Sequence, residues 1–138
     1  MLIALLALVG ALIALYLTLY KVGVIGELVC QIGSCERVNS SRWATFLGLP
    51  VAAWGLATYV VLLGLAVAAI QGVAPRQVAW ATVLVSGWAV MFSGWLTSIE
   101  LFVIHAICIW CVTSATIMTL LFFASAIELR RVLRLSTD

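Results

Sequence analysis

Gln77 to Glu128 reads QVAWATVLVSGWAVMFSGWLTSIELFVIHAICIWCVTSATIMTLLFFASAIE, and no proline interrupts it. As a single helix it would reach about 75 Å, far more than the ~30 Å of bilayer hydrocarbon. The chain must therefore turn within it. Glu100 and His105 are the only acid and the only histidine between its ends, which predicts a tight turn between Ser98 and Ala106. Two spans result, about Val78–Ser98 and about Ala106–Glu128.

Further out, Trp43–Pro75 and Met1–Tyr20 carry no charged side chain, adding spans at Leu49–Ile70 and Met1–Tyr20. The 138 residues are 66% hydrophobic and 9% charged, more apolar surface than a soluble fold of this size can hide. The sequence thus predicts an all-α membrane protein, a single four-transmembrane-helix bundle over residues 1–138. A loop, 21–48, joins helices 1 and 2. The first helix lacks the basic flank and the small-residue cleavage site of a signal peptide, and is expected to stay uncleaved. The net charge of +2 comes from scattered basic residues, which argues against a nucleic-acid partner.

An even number of spans puts both termini on one side. Arg130, Arg131 and Arg134 cluster after helix 4 and Arg76 lies between helices 2 and 3, against Lys21, Arg37 and Arg42 in the first loop. This bias predicts cytoplasmic termini for a multi-pass protein of the cell inner membrane. Whatever the orientation, the first loop and the turn before helix 4 share a face. Cys30, Cys35, Cys108 and Cys111 therefore gather at one membrane surface, the oxidising one if the termini are cytoplasmic.

Cys108-Ile109-Trp110-Cys111 is a C-x-x-C at a helix start, where N-terminal amides stabilise a thiolate at the first position. Cys111 lies nearly a turn deeper, suited to a lipid-soluble reactant. Cys30 and Cys35, separated by four residues that include Gly33 and Ser34, form a second pair able to close a turn. Two pairs at one surface make a thiol–disulfide relay, and a quinone is the natural bilayer reactant at its end. The alternative of another class is a non-catalytic membrane protein with a structural zinc site built from all four cysteines. An oxidising surface opposes it, and no metal is expected.

Cys35-Glu-Arg-Val-Asn-Ser-Ser-Arg-Trp43, Leu49-Pro50-Val-Ala-Ala-Trp54-Gly55 and Cys108-x-x-Cys111, in that order, resemble the vitamin K epoxide reductase family over nearly the whole chain. The resemblance implies a bundle around a quinone pocket (menaquinone, ubiquinone or a vitamin K type). In bacterial members it implies oxidation of an extracytoplasmic thioredoxin-like partner, here expected to be a separate protein. Carried over by position, Cys30 exchanges with the partner, Cys35 passes electrons to Cys108, and Cys111 is the sulfur beside the quinone. Ser41 matches a loop serine near the active site, and Ser40–Leu47 would be a short interfacial helix capping the pocket. Ala115 stands where vertebrate members have a tyrosine, and no asparagine occurs near Val51. Vitamin K quinone or epoxide reduction is the alternative enzyme reading.

His105, one turn before Cys108, either stabilises its thiolate or relays protons, or else simply closes the turn. Glu100, costly at membrane depth, is expected to face water at the turn. Trp54 and Trp110 are candidate pocket walls. Gly55, Gly64, Gly87 and Gly94 suit close helix packing.

Overall fold

The structure, a computed structural model, describes residues 1–24, 26, 37–38 and 42–137. Cys30, Cys35 and Ser41 lie outside the described residues. Among the described residues, four helices are long and apolar enough to cross a bilayer: α1 (Leu2–Lys21), α2 (Val51–Ile70), α3 (Pro75–Ile99) and α4 (Ile109–Thr137). The chain is the four-helix membrane bundle that its charge-free runs predict.

Backbone chemistry at the helix ends explains where they stop. In α1 the Val24 amide bonds back to the Leu19 carbonyl across Gly23, whose φ is 86°. In α2 the Val73 amide reaches the Ala68 carbonyl across Gly72, at φ 75°. Both are left-handed glycine caps that occupy carbonyls a helix end leaves unpaired. Pro75 then starts α3 at its first turn, where the missing amide costs nothing. α4 runs past Glu128 to Thr137, about 43 Å of helix, and so carries Arg130, Arg131 and Arg134 clear of the hydrocarbon.

Each helix packs on its sequence neighbour, and α4 closes the ring against α1. One face of α1 is small: Ala7, Gly10, Ala11 and Ala14 are buried at helical spacing. Against it lie Tyr59 and Leu62 of α2, Ala89 of α3, and Ile117, Met118 and Leu121 of α4. Small residues let backbones approach where lipid supplies no hydrophobic drive between helices. Of the glycines expected to serve this purpose only Gly87 does, a Cβ there standing 3.2 Å from Phe122. Around Gly55, Gly64 and Gly94 no described atom lies within 4 Å of a Cβ. Gly10 is the tight position, since any side chain there would run into the Tyr59 ring. Buried Thr82, Ser86 and Ser125 satisfy their hydroxyls on carbonyls four residues back. Large apolar side chains such as Leu5, Trp88, Met91 and Phe123 point outward, as a lipid-facing surface requires.

The turn falls between Ser98 and Ala106 as expected, but it is wider than a tight turn: α3 continues to Ile99 and opens into a π-helical turn, Glu100–Ile104. The reversal falls at His105, left-handed at φ 54°, where the Ala106 amide closes on the Glu100 carbonyl at 3.1 Å. The expected short helix Ser40–Leu47 is corrected over its described residues, 42–47. A 3-10 turn, Arg42–Ala44, leads into a two-stranded hairpin, β1 (Thr45–Phe46) and β2 (Leu49–Pro50). Leu47 and Gly48, both at positive φ, form its two-residue loop, as the twist of paired strands demands.

Candidate active site

The helices do not fill the bundle at the end that carries the C-x-x-C. A cavity of about 390 Å³ opens there between α2, α3 and the first turns of α4, within the usual ~300–1,000 Å³ range of small-molecule sites. Its walls are mostly apolar, with Ala14, Val51, Phe92, Leu96, Ala115 and Met118 among them. The hairpin forms its rim. Phe46 packs edge-on against Trp54 and Phe92, and Trp43 against Trp95, at centroid distances of 6.1–6.3 Å. The Trp54 indole N–H donates to the Phe46 carbonyl at 3.0 Å, tying the hairpin to the first turn of α2. Arg42 lies over the Trp43 ring at 5.1 Å, a cation on an aromatic face at the position expected of a membrane interface.

The two C-x-x-C sulfurs differ in their access to the cavity. Cys111 lines it. Cys108, fully buried, is off the cavity wall, in a cluster with Leu17 of α1, Val38 of the first loop and Ala106, against which Cys111 also packs. The Cys111 thiol is within hydrogen-bonding reach of the Cys108 sulfur, and the amides of Trp110 and Cys111 turn towards it. Cys108 precedes α4 by one residue. Its pKa is held below the ordinary thiol range by the Cys111 hydrogen bond first and by those amides, against burial and the nearby Glu100 charge.

Glu100 does not face water. It is 5% exposed, and the widened π turn carries it inward. Its Oε2 accepts the Cys108 amide at 3.5 Å, and its carboxylate meets the Cys111 thiol. A carboxylate at a helix N-terminus finds unpaired amides and the positive end of the dipole, which offset part of its desolvation. One signal for it was available in the sequence: an acid within a span is by default a functional candidate.

Of the other expected site residues, Trp54 and Ala115 line the cavity. Trp110 does not. It packs on Tyr16 of α1 at 5.4 Å between centroids, because one residue before Cys111 is about 100° round the helix from it. His105 has an exposed side chain, and its left-handed backbone ends the π turn. Sequence reading missed Tyr59 and Ser114. Both line the cavity, and the Tyr59 hydroxyl, buried beneath its floor, is bonded to Ser114. A tyrosine in the middle of an otherwise apolar span was the available hint.

An apolar chamber with a sulfur, a carboxylate and a hydroxyl pair on its walls fits a flat, lipid-soluble molecule carrying two carbonyls. The sequence model of the vitamin K epoxide reductase family matches residues 1–126. The chain is therefore a member of the vitamin K epoxide reductase family, integral multi-pass membrane oxidoreductases whose electron partners are quinones.

Proposed function

We propose that the protein is a quinone-coupled thiol–disulfide oxidoreductase. It oxidises an extracytoplasmic thioredoxin-like partner through Cys30 and Cys35, passes the electrons to Cys108 and Cys111, and reduces a bilayer quinone. The observation that carries this reading is the placement of the C-x-x-C: Cys111 borders the cavity, while Cys108, off the cavity wall, is buried in the cluster that also holds Val38 of the first loop. A pair placed in this way has one sulfur beside the chamber and the other beside the segment that follows the loop cysteines.

In the forward direction the partner's dithiol reduces the Cys30–Cys35 disulfide, and Cys35 then attacks Cys108, with Cys111 as leaving thiolate; Cys30 resolves the resulting Cys35–Cys108 bond, which restores the Cys30–Cys35 disulfide and leaves Cys108 and Cys111 both reduced. When Cys108 and Cys111 rejoin, two electrons and two protons pass to the quinone. The chain's own residues provide the apolar walls that hold the ring, the aromatic rim that excludes water, and the Tyr59–Ser114 hydroxyls as hydrogen-bonding groups. Cytoplasmic termini complete the topology, with the arginines after α4 inside.

A direct test uses purified protein carrying C30S and C35S, reduced with dithiothreitol and freed of excess reductant. Added to a soluble naphthoquinone, it should yield one quinol per chain and form the Cys108–Cys111 disulfide. Stoichiometric zinc bound to the unaltered four-cysteine protein, with thiols that neither oxidise nor reduce quinone, would sink the proposal in favour of a structural metal site.

A further inference from the structure

Beside the C-x-x-C stands a group that the relay does not use. Glu100 is the one carboxylate on the cavity wall among the described residues. It is buried, it meets the Cys111 thiol, and it accepts the Cys108 amide. We propose that Glu100 is a catalytic acid–base residue that carries protons between the Cys108–Cys111 pair and the quinone in the cavity. This deepens the function proposed above and rests on it.

Proton accounting gives such a group a task. Converting two thiols to a disulfide releases two electrons and two protons, and reducing a quinone to a quinol consumes two of each. The electrons leave from sulfur at the cavity wall, and a carboxyl group that meets that sulfur and lines the chamber gives the protons a direct path to the quinone. Glu100 accepts the Cys111 proton as the S–S bond forms and gives it to a quinone oxygen. Discharged, it takes the Cys108 proton by the same route. The S–H bonds break, the S–S bond and two O–H bonds form, and no charge is left in the cavity. In the reverse direction the same carboxyl group protonates the departing Cys111 thiolate.

The other titratable groups around this point are accounted for by element. On α1, Lys21 lines the same cavity, and Tyr16 and Tyr20 pack in the Cys108 cluster. On α2, Tyr59 is bonded to Ser114. On α4 there are Cys111 and, just before the helix, Cys108. His105 ends the π turn with its side chain exposed. Glu100 is the acid that both lines the chamber and meets the Cys111 thiol.

The competing explanation is that Glu100 merely caps α4. E100Q separates the two roles, because the amide oxygen still accepts the Cys108 N–H but the group cannot take up a proton. In the C30S/C35S background, single-turnover formation of the Cys108–Cys111 disulfide by soluble naphthoquinone should fall about a hundredfold in E100Q, the scale of general acid–base catalysis. The residual rate should rise about tenfold per pH unit as the thiol comes to depend on ionising by itself. The unaltered Glu100 protein should show a flatter profile. An E100Q rate and pH profile equal to those of the Glu100 protein would leave a helix cap and overturn the proposal. Failure of the Glu100 protein itself to reduce quinone would overturn the underlying function instead. Infrared redox difference spectra of the Glu100 protein decide the matter even if E100Q does not fold. A carboxyl C=O band should shift between dithiol and disulfide states, and its absence would rule Glu100 out as the carrier.

Discussion

The Tyr59 hydroxyl of α2 donates to the Ser114 carbonyl of α4 at 2.7 Å and lies 3.0 Å from the Ser114 hydroxyl. Ser114 is one turn beyond Cys111, so this bond links the helix that carries the cavity-facing sulfur to the helix opposite. Y59F should cost about 1 kcal/mol of stability, the usual net value of one hydrogen bond. It should also raise the KM for quinone while leaving the reactivity of the loop cysteines unchanged. Thermal unfolding in detergent, with quinone titration of turnover, reads both effects.

Gly10 seats the Tyr59 ring, and there is no room for a methyl group between them. G10A should destabilise the bundle by about 1–3 kcal/mol through overpacking, despite alanine's better helix propensity. G64A, at a position with open space, should be neutral or gain up to about 1 kcal/mol. Equal unfolding temperatures for the two variants would contradict the packing described for α1 and α2.

Much of this architecture is legible from charge alone. Uninterrupted apolar runs locate the first three helices to within about three residues, because a bilayer tolerates little else, whereas α4 runs on past Glu128 to Thr137. The turn before α4 is less legible, since its position depends on a left-handed His105 and a π-helical widening rather than on a glycine or proline. The same widening decides the placement of Glu100: an acid at a turn normally reaches water, and here the π-helical segment swings it onto the start of α4. Trp110 was misjudged because pairing it with the cavity ignored the 100° step from Cys111. The Tyr59–Ser114 bond joins residues 55 positions apart, a tertiary relationship that no local pattern announces.

The thiolate of Cys108 should titrate below the ordinary thiol value of about 8.5, chiefly because Cys111 donates a hydrogen bond to it. A donor stabilises the charged form, so removing it must raise the pKa. In a C30S/C35S background, C111A should therefore move the Cys108 midpoint upward. C111S should move it less, since a hydroxyl still donates. Ultraviolet thiolate absorbance follows this without requiring access to the buried sulfur. A midpoint unchanged in C111A would show that the amides of the first turn supply the effect instead.

The link between the two cysteine pairs admits the most decisive experiment. If Cys35 is the relay sulfur, its attack on the Cys108–Cys111 disulfide passes through a Cys35–Cys108 bond. That bond is normally short-lived, because Cys111 attacks back and Cys30 resolves it. C30S combined with C111S removes both escapes and leaves two cysteines in the chain. Cys108 shares a buried cluster with Val38, three residues past Cys35 in sequence, and the bond requires the two Cα atoms to come within roughly 6 Å of each other. The Cys35–Cys108 bond should then accumulate in cells. Cleavage at a protease site inserted between α2 and α3, near Gly72, divides Cys35 from Cys108. After acid quench and alkylation the two fragments should migrate together until reductant is added. Fragments that separate without reductant would leave the pairs chemically unconnected and remove the relay from the mechanism.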